Sequence, residues 1–360
     1  MLLVLGWYFA VPVPVRGWIP VNGRRTENRY LKATRQKACT YLARIGIMMA
    51  TLPTPTPTPG VKTQIPILSV PDIVQNRLPT EFDPKKDLTP EQLTMLEEFR
   101  AQLPELLISR ELIENAEDDD EDMAQLTDEE IAEIRKEEEV WTDDAFDRLE
   151  ATLKWRRTYK PHKITPDDIV EESLTGKIYV NGFDQIGRPI LYLCPKRENT
   201  KNHDQQLKHT VFVMETAIKM MSKGVEQVII AIDYEGVSMR TAPPLAITRR
   251  FLDTIGAHYP ERMGIGFVVN PSWYLWIALG LASPFMDPVT KAKINFVSLS
   301  GKANKSKEST ADGTGSWTSL QKYIDNELLD AMFGGDYAFE WHHPTYWSYI
   351  SALRSDVVKQ

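Results

Sequence analysis

The sequence predicts an α/β fold in which a mostly parallel sheet is flanked by helices and preceded by a small all-α region. Two observations carry this. Between Gly176 and Val297 short apolar runs alternate with longer runs of helical period, in the order strand, strand, helix, strand, helix, strand, helix, strand. Two of these strands, Val228 to Ile232 and Gly264 to Val269, are continuously apolar, as strands covered on both faces are.

Residues 1–80 are expected to be an unstructured extension. Its start is apolar but broken by Pro12 and Pro14, a basic stretch follows, and Pro53 to Pro59 reads PTPTPTP, a polyproline-type spacer. Residues 81–160 read as a helical region. Thr89-Pro90 gives an N-cap with proline at N1, and Thr127 to Glu130 is a capping box. An acidic block runs from Glu111 to Asp122, and a third helix spans about Asp143 to Arg157 with Phe146, Leu149 and Leu153 on one face.

Residues 165–340 carry the sheet. Lys177 to Val180 is strand-like, and Asp184-Gln-Ile-Gly187-Arg188-Pro189 is a turn into Ile190 to Leu193. Helices are expected over His209 to Met221 and Leu245 to His258. Asp287-Pro288 starts another, and Trp317 to Leu329 is read as one more. Residues 341–360 form an aromatic tail, in which His342-His343 reads as a surface pair.

Composition narrows the function. With 360 residues and 42% hydrophobic content the chain can bury a sizeable core. A net charge of −8 argues against a nucleic-acid binder. Cys39 and Cys194 stand far apart with no CxxC, which gives neither a disulfide framework nor a zinc site and suits a reducing compartment. No uncharged apolar run reaches the roughly 18 residues of a membrane span. Gly264-Ile-Gly266 lacks the third glycine of a dinucleotide loop, and GxxxxGK[ST], GxSxG and HExxH are absent. Nothing assembles a nucleophile, base and oxyanion hole, so no catalytic or metal residues are expected. Asp233, at a strand's C-terminal end, reads first as a cap for the turn at Gly236.

The segment 258–298 is unusual. Tyr259-Pro260 stops a helix, a buried strand follows, and Ser272 to Phe285 contains no charged residue although Glu261 and Lys293 flank the region. Tyr259-Pro260-Glu261-Arg262-Met263, Asn270-Pro271 and Pro284-Phe-Met-Asp-Pro-Val-Thr290 resemble the CRAL-TRIO lipid-transfer family, and its phosphatidylinositol transfer branch in particular. The Asp184 to Pro189 turn, Asp233 to Gly236 and Phe333-Gly334-Gly335 match in order and spacing, so the likeness covers about residues 140–340.

The resemblance implies one lipid held between a sheet floor and helices, closed by a mobile gate helix and exchanged at membranes without bond chemistry. Each methylene of such a lipid costs roughly 0.8 kcal/mol to hydrate, so a carrier needs a continuous apolar cavity. The implied gate and cavity residues are Trp273, Tyr274, Trp276, Ile277, Leu279 and Leu281, over a floor of Val228, Ile230, Ile232, Phe267 and Val269. Glu261, Thr290 and Lys293 are the implied headgroup residues. Thr290 and Lys293, three apart on one helix, share a face.

The ligand implied is phosphatidylinositol, with a second ligand left open, a sterol or another apolar molecule, and no cofactor. The strand Val228 to Ile232 lacks the hydroxyls of the phosphatidylcholine-binding members. The expected partners are a phospholipid and, transiently, a membrane surface, for a monomer acting in the cytoplasm and peripherally at membranes. The arginine-rich helix that the family carries before Asp143 is missing, so the helical region looks truncated. Two rival functions are a lipid-sensing adaptor and a small-molecule enzyme using Asp233 or Glu261 as base.

Overall fold

The computed structural model describes residues 61–78, 89–109, 143–237, 245–271, 275, 288–299 and 316–355. Six strands form one sheet in sequence order: β1 (Ile178–Phe183), β2 (Pro189–Leu193), β3 (Val228–Asp233), β4 (Met263–Val269), β5 (Ile294–Val297) and β6 (Ser316–Trp317). The first two are an antiparallel hairpin, and every later neighbour is parallel. Every residue of β2 and β3 is buried, which is why their sequences are apolar without alternation.

Among the described residues the α-helices of six residues or more are α1 (Pro90–Ser109), α2 (Asp143–Tyr159), α3 (His203–Met220), α4 (Leu245–His258), α5 (Pro288–Lys293) and α6 (His343–Ser355). The first begins at a reciprocal cap: Thr89 N–H donates to Gln92 Oε1 at 2.8 Å, and Gln92 N–H donates to Thr89 Oγ1 at 3.2 Å. Because β2 to β4 advance in one direction, right-handed crossovers put α3 and α4 on one face of the sheet. The opposite face is covered by the segment after β6, where Phe333 packs on Tyr192 and Tyr323 on Phe267.

The second helix is part of this core. Buried Arg156 donates to Glu215 Oε1 of α3 at 3.1 Å, and Tyr259 O–H donates to the same oxygen at 2.5 Å. Trp155 stacks on His258 with ring centroids 4.2 Å apart.

Three expectations change. Residues 61–78, expected to be unstructured, lie as a strap across the domain: Ile67 and Val74 are fully buried, and Thr63 bridges to Phe339. Their apolar side chains find sites in the core, which local composition does not reveal. Trp317 to Leu329 is not a helix. Its backbone pairs outward, Thr318 N–H to Phe296 O and Gln185 N–H to Tyr323 O, leaving one 3-10 turn at Leu320–Lys322. The aromatic tail is helical over α6, and His343 is half-buried, stacked on Trp347 and bonded to Ser173 Oγ at 2.8 Å. The helix expected at Thr127, the acidic block and residues 1–60 lie outside the described residues.

Candidate functional site

Strands β2 to β5 run parallel, so their N-terminal ends share one edge of the sheet, and there the sequence motifs converge. Pro260 follows the end of α4 at a residue whose N–H still completes the helix, Tyr259 N–H to Ile255 O at 2.8 Å. Glu261 then takes a left-handed backbone, φ 52°, which costs a non-glycine residue about 1–2 kcal/mol. Its surroundings hold it there. Arg262 is 6% exposed and donates Nη1 to Glu226 O at 2.8 Å, while its own carbonyl accepts Val228 N–H at 2.7 Å. The entries of β3 and β4 are thereby clamped together.

Lys293 closes α5 and immediately precedes β5. Its Nζ lies 2.5 Å from Glu261 Oε2, with the two side chains 17% and 19% exposed. The paired acid and base thus sit at the lip of the sheet, neither sealed nor fully solvated. Such a pair can accept hydroxyl hydrogens at the carboxylate and hold an anionic oxygen at the ammonium.

The β1–β2 turn opens β2 at the same end of the sheet, two strands from β4. Asp184 is 1% exposed; its Oδ1 accepts N–H from Ile186 (3.1 Å) and Arg188 (2.8 Å), and its Oδ2 accepts Arg188 Nε at 2.7 Å. Burial raises the Asp184 carboxyl above its ordinary value, and the Arg188 guanidinium opposes that. Gly187, at φ 83°, supplies the left-handed residue this tight turn requires. The sequence marked Asp184 to Pro189 as a motif, but nothing local indicated that Arg188 reaches toward β4.

Of the expected headgroup residues, Glu261 and Lys293 are brought together. Thr290 lies within α5, but its side chain is outside the described residues. So are Trp273, Tyr274, Trp276, Ile277, Leu279 and Leu281; from that uncharged run only Leu275 is described, helical and fully buried. The expected floor needs correction. Ile230 pairs with Gly266 and Ala231 with Phe267, so the two-residue period puts Phe267 and Val269 on the face opposite Val228, Ile230 and Ile232. Phe267 packs on Tyr323, away from the helical layer.

Asp233 lies at the other end of β3 and behaves as a cap. Its Oδ1 accepts Glu235 N–H at 3.0 Å and Asn270 Nδ2 at 3.1 Å, its Oδ2 is 3.0 Å from Lys196 Nζ, and Gly236 completes the turn at φ 73°. Among the described residues no cluster of three or more histidines, cysteines or carboxylates could hold a metal ion, and no helix is long and apolar enough to cross a membrane.

Residues 174–335 match the CRAL/TRIO domain family. A CRAL-TRIO domain-containing protein of Schizosaccharomyces pombe is 37% identical over 210 residues, 58% of this chain and 19% of that protein. The phosphatidylinositol transfer protein PDR17 of Saccharomyces cerevisiae is 32% identical over 218 residues, 57% of each chain. The matched region therefore spans from about a fifth to just over half of these relatives. The crystal structure of Sfh5 aligns over 78% of this chain and all of that one, at 16% identity and a TM-score of 0.47. Residues 174–335 are thus similar to the CRAL/TRIO domain, and the relatives that share this region include a phosphatidylinositol transfer protein.

Proposed function

We propose that this chain binds one phospholipid, phosphatidylinositol, and exchanges it between membranes by opening a gate helix formed from the uncharged run 272–285. In this reading the lipid chains lie between the Ile230 and Ile232 face of the sheet and the helical layer, and no covalent step occurs. The observation that carries it is the Glu261–Lys293 pair, 2.5 Å apart and partly exposed, at the edge where β4 and β5 begin. An inositol phosphate matches it in kind, with hydroxyls for the carboxylate and a phosphodiester for the ammonium; Thr290 completes the set. Its similarity to PDR17 supports the same choice of lipid.

The test has two arms. Native mass spectrometry with lipid extraction of the purified chain is expected to recover phosphatidylinositol, chemically unchanged after long incubation. In vesicle-to-vesicle transfer, Lys293→Ala is expected to lower phosphatidylinositol transfer about tenfold or more, from one charge-assisted hydrogen bond of about 1.5–3 kcal/mol. Transfer by Lys293→Ala at the wild-type rate refutes the headgroup assignment. Bound lipid without any exchange favours a lipid-sensing adaptor instead.

A further inference from the structure

Glu261 holds a backbone conformation that its residue type disfavours, and such strain persists only where the surroundings over-determine it. On its C-terminal side Arg262 is the anchor. On its N-terminal side the chain is held by Tyr259, two residues earlier. Tyr259 is 2% exposed and fixed at both ends: its N–H donates to Ile255 O at 2.8 Å, and its hydroxyl donates to Glu215 Oε1 at 2.5 Å. Burial, with the Glu215 charge beside it, raises this phenol well above its ordinary value, so the hydroxyl keeps the proton it donates.

Glu215 is itself oriented. Arg156 of α2 grips both of its oxygens, Nη1 on Oε1 at 3.1 Å and Nη2 on Oε2 at 3.4 Å. Trp155, the preceding residue, meets the Tyr259 ring edge-on with centroids 5.9 Å apart. Between Tyr259 and Glu261 stands only Pro260, whose φ is locked by its ring, so few backbone torsions remain to absorb a shift. A displaced Tyr259 therefore displaces the Glu261 carboxylate, whose Oε2 meets Lys293 Nζ at 2.5 Å. A phenylalanine would fill the space at 259 equally well. Burying a carboxylate and a guanidinium around a hydroxyl adds little net stability over an apolar cluster of the same shape, which leaves orientation as what the polar groups supply.

We propose that Tyr259, Glu215 and Arg156 are positioning residues for the headgroup carboxylate: together they aim Glu261, and they make α2 part of the headgroup site without touching the ligand. This rests on the proposed lipid-binding function and deepens it. Linkage adds a consequence: if α2 favours the conformation of Glu261 that binds lipid, lipid bound at Glu261 must strengthen the hold on α2 by the same factor.

The experiment compares the full-length chain with Tyr259→Phe, Glu261→Gln and the double variant in vesicle-to-vesicle transfer of phosphatidylinositol, with thermal melts to establish folding. Glu261→Gln is expected to lose about tenfold, as for one charge-assisted hydrogen bond. Tyr259→Phe should lose about fivefold by misplacing the same carboxylate. Because the hydroxyl acts only through Glu261, the double variant should transfer as fast as Glu261→Gln alone. A merely structural role makes the two losses multiply; that result overturns the proposal, and so does wild-type transfer by folded Tyr259→Phe. If Tyr259→Phe does not fold, Arg156→Lys, which keeps the charge and gives up the two-pronged grip, replaces it in the same cycle with the same criteria. Amide hydrogen exchange of α2, with and without phosphatidylinositol vesicles, reads the reciprocal effect. Exchange should slow with lipid in the wild type, and lipid-independent exchange overturns the coupling. Wild-type transfer by Glu261→Gln removes the headgroup assignment and the positioning role with it, whereas a wild-type chain that transfers no phosphatidylinositol removes the lipid function itself.

Discussion

Glu215→Ala tests whether α2 and the sheet domain form one cooperative unit. Glu215 and Arg156 are 10% and 7% exposed and pair at 3.1 Å, and Glu215 also accepts the Tyr259 hydroxyl. Removing the carboxylate leaves a guanidinium buried beside a tyrosine without its acceptor. Breaking a buried pair from one side costs about 3–5 kcal/mol. At about 2–4 °C per kcal/mol for an ordered region of this size, the midpoint of melting should fall by roughly 6–20 °C. The penalty comes from breaking a buried ion pair on one side only, so Arg156→Met with Glu215→Leu should recover most of it. Urea unfolding and thermal melts of the two variants against wild type make the measurement. A loss below about 1 kcal/mol in Glu215→Ala, or a double variant no more stable than the single, refutes the reasoning.

Other outcomes follow from the same packing. Gly335→Ala would set a β-carbon 2.0 Å from Leu329 O, a backbone atom that cannot yield, so urea unfolding should show a loss of about 3 kcal/mol or more. Gly236→Ala meets nothing within 4 Å but keeps φ 73°, so its cost should stop at about 1–2 kcal/mol. His209 is 1% exposed, and burial, with Lys177 and His343 nearby, pushes its imidazole down to about 3. Unfolded, it titrates near 6.5. The neutral form therefore stabilises the fold fully above about pH 6.5, and that contribution is lost as pH falls toward 3, by up to about 1.4 kcal/mol per pH unit. Unfolding midpoints measured from pH 7 to 5 should fall less steeply in His209→Phe; an unchanged slope would falsify this assignment.

Periodicity made most of the sheet domain legible. The continuous apolar runs at β3 and β4 announced burial on both faces, and Pro260 and Pro288 marked where helices stop and start. Residues whose partners are far away in sequence were not legible. Ile67 bonds to Asn181 and Gly182, which no local pattern connects to a proline-rich arm. Trp317 to Leu329 has helix-forming residues, but a sheet edge and a turn claim its backbone. At the site, the family resemblance brought Glu261 and Lys293 together; Lys293 directly precedes β5, and Glu261 stands two residues before β4. The floor failed because choosing its residues across two strands requires their register, and a bulge at Gly264 shifts that register by one.

The strap and the last helix meet at the first strand. As an outer strand, β1 would present unpaired N–H and C=O groups to any passing chain. Here the Tyr346 hydroxyl donates to Val180 O and accepts Val180 N–H, both at 3.0 Å, and Ile67 O accepts Gly182 N–H at 2.9 Å. Segments from both sides of the domain thus quench the exposed rim. This matters beyond stability: the flank of the sheet that could polymerise by strand addition is already taken by the chain's own strap and α6.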